Sequence, residues 1–246
     1  EFAVQHVDVF DHKSIQTWVY SKDRVAGFRD FETPTKDVLA FYSEYVGPFA
    51  YEKLANIQSP SVSGGMETSS AILYAENLVD GKQSERLRNV VIHEIAHQWF
   101  GNLVTAASWE EIWLNEAFAT WMEEKTTDHF NPEWQVPLRR RQPIDWAMNK
   151  DASSATRAIR SGAVQEDRVF DVFDEITYSK GGAVMSMIED WLGPEVFQKG
   201  LAAYMRDQRD AIERRWNLMA AEVMLYGTLT VEDAEYPRQV IDFGRA

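Results

Sequence analysis

The chain has 246 residues, which is long enough to bury a full hydrophobic core as one domain built from two lobes. Its formal net charge of −14 argues against nucleic acid as a partner, because phosphate binding needs a basic surface. The absence of cysteine excludes disulfide bonds, thiolate metal ligands and cysteine nucleophiles. We expect no membrane span and no signal peptide, because no apolar stretch approaches spanning length.

The first part of the chain is rich in predicted strands. Residues 4–9, 15–20, 53–58 and 71–75 alternate or cluster β-forming residues, and the last two of these segments flank a predicted turn at Gly64-Gly65. One helix is predicted among the strands, over residues 35–46, with Pro34 near its start and Gly47-Pro48 after its end.

From about residue 85 helical patterns dominate the sequence. They include a helix over residues 179–192, ended by Gly193, and a further helix from Pro194 to about residue 205. Strands first and helices later predict an α+β fold, with a functional site between a strand-rich lobe and a helical lobe.

The clearest chemical signal is the run His93-Glu94-Ile95-Ala96-His97. Positions i and i+4 lie on one face of a helix, so both histidines would direct imidazole nitrogens at one point. Zinc accepts such ligands, and Glu94 is well placed to act as general base toward a water molecule. The neighbouring residues, from Leu87 to Phe100, are largely apolar and predict a buried helix. Two imidazoles and a carboxylate are costly there unless they are paired or bound to metal.

Glu116, in the run Trp113-Leu114-Asn115-Glu116, is the candidate third ligand. It lies in a second helical pattern, and residues 101–109 contain the Gly, Asn, Thr and Ser of a connecting loop. A glutamate in an acidic chain is usually solvated, but its position among Trp, Leu and Phe favours a buried ligand. The alternative is that His93 and His97 are core histidines hydrogen-bonded to carbonyl groups.

These motifs together resemble the zinc aminopeptidases typified by aminopeptidase N, a gluzincin family that also includes the leukotriene epoxide hydrolase. Besides H-E-x-x-H and W-L-N-E-A-F-A-T, the run Gly64-Gly65-Met66-Glu67-Thr68 is similar to the exopeptidase motif G-x-M-E-N. Residues 173–181 are similar to F-D-x-I-x-Y-x-K-G. The resemblance covers residues from about 15 to about 205.

The resemblance implies a thermolysin-like domain that holds one zinc ion per chain through His93, His97 and Glu116. Glu94 would then be the catalytic base, and Tyr178 would donate a hydrogen bond to the oxyanion of the tetrahedral intermediate.

The resemblance also implies where substrate would bind. Gly65, Met66 and Glu67 would contact the substrate, with Glu67 binding its free α-amine, and Glu123 is a second candidate amine-binding carboxylate. Asp174 is a candidate supporting or specificity residue. Peptides with a free amino terminus are the implied partners.

The domain organisation departs from what is usual in the family. We expect residues 1–246 to form one catalytic domain, with a strand-rich lobe over 1–84 and a helical lobe over 85–246. The N-terminal β domain and C-terminal helical domain of the family are expected to be absent, which leaves room for further domains of a longer parent chain. Thr68 also stands where the exopeptidase motif usually has Asn.

Two alternatives keep the fold but change the function. A thermolysin-like endopeptidase would use the same zinc, helix and base, but Glu67 would obstruct a continuing peptide chain. An inactive peptidase domain serving as a scaffold would be expected to have lost a ligand, the base or the tyrosine, and all of these are present.

Overall fold

A mixed β-sheet followed by a group of helices makes up the chain, as the α+β prediction states. The computed structural model describes residues 1–154, 156–162 and 164–208. The part of the predicted helical lobe after residue 208 lies outside these residues.

The sheet has five strands in the order β1-β2-β3-β5-β4. The central strands β2, β3 and β5 are parallel, and the edge strands β1 and β4 are antiparallel to their neighbours. The strands are β1 (Phe2–Asp8), β2 (Ser14–Tyr20), β3 (Lys53–Ser59), β4 (Gly65–Met66) and β5 (Ala71–Ala75). Four of them match the predicted strands. Gly65, predicted to lie in a turn, instead belongs to β4, where it faces Tyr74 of β5.

Helix α1 (Arg24–Tyr45) connects β2 to β3 and begins well before the predicted start at residue 35. Pro34, which suggested a helix start, lies inside the helix and is buried. Proline removes one backbone hydrogen bond, but the turns before it are held by tertiary contacts. Gly27 packs so closely on Val19 that a Cβ would not fit, and Phe31 is fully buried. Tertiary packing therefore keeps the chain helical on both sides of Pro34, where local sequence preference alone predicts a helix boundary.

Helices α2 (Glu85–Ala96) and α3 (Ile112–Phe130) pack side by side behind the sheet. The hydroxyl of Ser84 accepts a hydrogen bond from the backbone N–H of Leu87 and begins α2 as an N-cap. The helix ends at Ala96, earlier than the apolar run to Phe100 suggested. His97 still has helical backbone angles, with φ −59° and ψ −21°, so the four-residue spacing of the histidines is preserved.

A buried hydrogen-bond chain connects the first three helices. The Tyr42 hydroxyl of α1 donates to the carbonyl of Ile92 on α2 over 3.2 Å, and accepts from the Thr126 hydroxyl of α3 over 3.2 Å. Because these groups are buried, the chain fixes the helices relative to one another just where α2 presents His93.

Further α-helices follow in the described part of the chain. They are α4 (Val136–Arg139), α5 (Arg141–Asp151) and α6 (Gly181–Leu192), and residues 194–208 are also helical. Of these, α6 packs closely along α3. Helix α6 ends before Gly193, which has a φ of 86°, as predicted. Its predicted first residues instead form a π-helical turn, Ile176–Lys180, and Gly181 then packs against Ala117 of α3 without room for a side chain.

No helix within the described ranges combines the length and apolarity needed to cross a bilayer.

The loop before α2 depends on Asp30, whose fully buried carboxylate accepts hydrogen bonds from the backbone N–H groups of Asp80, Gly81 and Gln83. Replacing Asp30 with Ala leaves these donors without an acceptor. We expect Asp30→Ala to lower the free energy of unfolding by about 3 kcal/mol in a urea titration. Glu32→Ala, at an exposed position of the same helix, is the control and is expected to change little. Equal stability of the two variants would contradict this account.

Candidate active site

The two histidines and Glu116 meet at one point between α2 and α3. The Nε2 atoms of His93 and His97 lie 3.1 Å apart. Oε2 of Glu116 lies 3.4 Å from Nε2 of His93 and 3.3 Å from Nε2 of His97. Ligands placed 2.0–2.1 Å from a tetrahedral zinc ion are separated by roughly 3.3–3.4 Å. The donor atoms thus have the chemistry and the spacing that a zinc-sized cation requires.

The outer nitrogens of both imidazoles are occupied, which directs the inner nitrogens at each other. Nδ1 of His97 donates to the carbonyl of Phe100 over 3.0 Å, and Nδ1 of His93 donates to a carboxylate oxygen of Glu123 over 3.1 Å. A hydrogen bond of this kind fixes the tautomer and leaves the Nε2 lone pair free for a metal. The structure therefore brings Glu123 against a predicted ligand, and its predicted contact with a substrate amine stays a prediction.

The charge balance at this point also suits a cation. Burial alone would lower the pKa of His93, but the carboxylates of Glu116 and Glu123 raise it well above its usual value. Burial alone would raise the pKa of Glu116, and the two histidines lower it instead. Glu67 and Glu94 add two further carboxyl groups beside the same two imidazoles, and a divalent ion would balance the excess of acidic groups.

Glu94 lies beside the two histidines and under the edge of the sheet. It is 7% exposed, and burial raises its pKa to about 7 despite the opposing effect of His93 and His97. A Cβ on Gly65 would collide with the Glu94 carboxylate, so β4 passes directly over it. A carboxyl group with such a pKa can both accept and donate a proton near neutral pH.

Glu67 follows β4 and reaches the same point from the sheet side. One carboxylate oxygen of Glu67, one of Glu94 and a ring nitrogen of His97 all lie within 4.8 Å of one another. Gly65 lines the cleft, whereas Met66, the other residue predicted to contact substrate, has a side chain that is 45% exposed.

Tyr178 lies on the other side of the cleft, in the π-helical turn before α6. Its ring stacks on His93 with 6.1 Å between centroids and 28° between planes. Burial, followed by the negative charge of Glu116, raises the pKa of Tyr178 above its usual value. The phenol therefore stays protonated and can act as a hydrogen-bond donor.

A hydrogen-bonded network fixes the turn that carries Tyr178. The Asp174 carboxylate accepts from the backbone N–H groups of Ile176 and Thr177 over 3.1 and 3.2 Å. It is paired with Arg157 over 2.6 Å and with Lys150 over 2.9 Å. Burial opposes ionisation, but hydrogen bonds from Lys150 and the Thr177 backbone lower the pKa of Asp174.

His93, Glu94, Glu123 and Tyr178 border an open cleft of about 590 Å³. Its lining residues are Gly64, Gly65, Glu85, Arg86, Asn89, Val90, His93, Glu94, Glu123 and Tyr178. The cleft is formed between the sheet edge and α2, as the two-lobe prediction expects. One predicted metal ligand, His93, lines it together with Glu94 and Tyr178. The buried His97 and Glu116 do not line the cleft but contact His93.

Three residues that support this site were not predicted from the sequence. Arg157 lies outside the recognised motifs, and no local pattern connects it to Asp174. Gln98 and Asn102 follow His97 directly, and Gln98 is a polar residue in an apolar run, 1% exposed in the structure. A glutamine in an apolar run was the sequence signal that could have identified Gln98, because a buried amide must find hydrogen-bond partners.

Comparison with known proteins places the chain in a family. The family described as "Peptidase family M1 domain" matches residues 30–224. Aminopeptidase M1-A of Oryza sativa is 36% identical over 210 residues, which is 81% of this chain and 24% of that protein. Glutamyl aminopeptidase of Sus scrofa is 35% identical over 229 residues, with the same two coverages. The tricorn protease-interacting factor F2 of Thermoplasma acidophilum is 39% identical over 180 residues, 70% of this chain and 23% of that protein.

The chain thus spans about a quarter of the length of these curated relatives. Each alignment covers most of the chain.

The network around Asp174 generates a prediction about the Tyr178 turn. Asp174→Ala removes the acceptor of two backbone N–H groups and leaves Arg157 without its carboxylate. We expect faster hydrogen–deuterium exchange at residues 176–178, by roughly tenfold or more, because those amides open more often. Asp171→Ala, at a side chain that is 58% exposed, is the matched control. Unchanged exchange in the Asp174 variant would show that other contacts hold the turn.

Proposed function

Because the chain belongs to peptidase family M1, we propose that it is a zinc-dependent aminopeptidase that hydrolyses the first peptide bond of peptides with a free amino terminus. The observation that carries the proposal is the proximity of three features: the triangle of His93, His97 and Glu116, the buried Glu94, and the Glu67 carboxylate, which lies within 4.8 Å of Glu94 and His97. Neither the triangle nor the base alone would distinguish an aminopeptidase from other zinc hydrolases.

We assign the zinc to His93, His97 and Glu116. Two imidazoles and one carboxylate with an open position are a ligand set typical of catalytic zinc. When bound, the ion would polarise a peptide carbonyl and lower the pKa of water, which is Lewis-acid chemistry that no side chain of this site supplies. Glu123 would orient His93 through the hydrogen bond to Nδ1.

Glu94 is the proposed proton carrier. Its carboxylate takes the proton from the attacking water as the new C–O bond forms. It then delivers that proton to the amine nitrogen as the peptide C–N bond breaks and the amine departs. A pKa near 7 supports both steps, because neither protonation state is strongly disfavoured. Tyr178 lies across the cleft and donates a hydrogen bond to the carbonyl oxygen as negative charge develops there.

Glu67 is the proposed recognition group for the amino terminus. A carboxylate beside a substrate ammonium forms a charge-assisted hydrogen bond, and its position near Glu94 would place the first peptide bond over the metal. An N-acetylated substrate loses this charge and adds bulk at the same place. The proposed activity is therefore that of an exopeptidase rather than a thermolysin-like endopeptidase.

The metal assignment predicts different outcomes for two neighbouring substitutions. His97→Ala removes a ligand, and we expect it to lose most of the bound zinc and all measurable hydrolysis. Glu94→Gln keeps the ligands, so we expect one zinc ion per chain with kcat/KM reduced by about 10²–10⁴-fold. Metal content by elemental analysis and hydrolysis of an aminoacyl chromogenic amide test both. Wild-type hydrolysis by Glu94→Gln would contradict the role of Glu94.

The recognition assignment is tested with pairs of chromogenic amides, each with a free or an N-acetylated amino terminus. We expect zinc-loaded protein to cleave only the free forms, and Glu67→Gln to raise KM for them by about tenfold or more, because a charge-assisted hydrogen bond is lost. Equal cleavage of both forms would favour the endopeptidase. Bound zinc without cleavage of either form would contradict an aminopeptidase activity of this chain.

A further inference from the structure

The backbone carbonyl of Glu67 is held by two side-chain amides. Nδ2 of Asn102 donates to it over 2.6 Å and Nε2 of Gln98 over 3.2 Å. Both amides come from the turn that directly follows the metal-binding end of α2. Glu67 is thus attached, through its own main chain, to the segment that carries His97.

Gln98 connects three parts of the molecule with one fully buried amide. Its Oε1 accepts from the backbone N–H of Ser70 over 2.8 Å, and its Nε2 also lies 3.4 Å from the carbonyl of Glu94. Ser70 has a left-handed φ of 58°, which is uncommon for a residue other than glycine. Gln98 therefore holds both ends of the short segment from Glu67 to Ser70 against the end of α2.

Asn102 is itself rigidly placed. Its backbone N–H donates to the carbonyl of His97 over 3.0 Å, and the preceding Gly101 has a φ of 121°. A side chain at Gly101 would also press on Asn115. The backbone of Asn102 is thus held next to His97, and its side-chain amide connects this segment to the Glu67 carbonyl.

We propose that Gln98 and Asn102, here called the amide clamp, are positioning residues that set the separation of the Glu67 carboxylate from the metal ligands. The clamp would thereby determine the preference for substrates with a free amino terminus. This inference rests on the proposed function, because it assigns the clamp to the group that binds the substrate amine. The clamp does not touch substrate and acts only through Glu67.

A double-mutant cycle separates this role from a merely structural one. Asn102→Ala removes the shorter hydrogen bond to the Glu67 carbonyl. We expect KM for a free aminoacyl amide to rise by about tenfold, while kcat changes by less than about threefold and zinc stays at one per chain. In the Glu67→Gln background the same substitution should change KM by less than about twofold, because the group that it positions is already lost.

Asn149→Ala, an exposed amide on α5, is the matched control and should leave both constants unchanged. Gln98→Ala serves as a second clamp variant. Because Gln98 is the more buried residue, its substitution could prevent folding, and Asn102→Ala then still tests the proposal. An unchanged KM in Asn102→Ala, a KM increase that persists in full in the Glu67→Gln background, or loss of zinc would overturn the proposal.

Hydrogen–deuterium exchange tests the clamp without relying on activity. Asn102→Ala should speed exchange of the amides at residues 65–71, and Asn149→Ala should not. Unchanged exchange in Asn102→Ala would overturn the clamp even if the enzyme is active. If Asn102→Ala exchanges faster but the wild-type protein cleaves no substrate, the amide clamp would be supported and the aminopeptidase activity contradicted.

Discussion

Hydrogen bonds to the outer nitrogens of two imidazole rings hold the inner nitrogens toward one point. In this chain the partners are the carbonyl of Phe100 and the carboxylate of Glu123. The first comes from the turn that ends α2, and the second comes from the neighbouring face of α3. The packing of α2 on α3 and the path of the chain after Ala96 therefore shape the candidate metal site as well as the core.

Carboxylates around the same cleft have different chemistry because their surroundings differ. Glu116 faces both histidines, which hold its pKa low, whereas Glu94 is buried beneath β4 and has a pKa of about 7. Glu67 reaches the cleft from the sheet side, on a backbone segment that the turn after α2 secures. In the proposed function, one residue type would thus serve as ligand, proton carrier and recognition group, because three elements place it in different environments.

Much of this arrangement could be predicted from the sequence where the signal is local. The spacing of His93 and His97 is one helical turn, and four of the five strands follow from β-forming runs. The start of α1 predicted from Pro34 was wrong, because the tertiary packing of Gly27 and Phe31 outweighs the local preference of proline for a helix start. The partners of Glu123, Asp174 and Glu67 could not be predicted, because their contacts join distant parts of the sequence that only the fold brings together.

The π-helical turn before α6 has a further consequence. It contains one residue more per hydrogen-bonded ring than an α-helical turn, as the bond from the Lys180 N–H to the Glu175 carbonyl illustrates. Gly181 is locked against Ala117, so α6 cannot rotate to absorb a change in length. Deleting one residue here would restore a regular helix but rotate the preceding side chains by about 100° about its axis, taking Tyr178 away from His93. Among proteins that share this turn, deletion of a single residue within it would therefore remove the phenol donor from the site. A sequence alignment would show this as a one-residue gap, even where the tyrosine itself is retained.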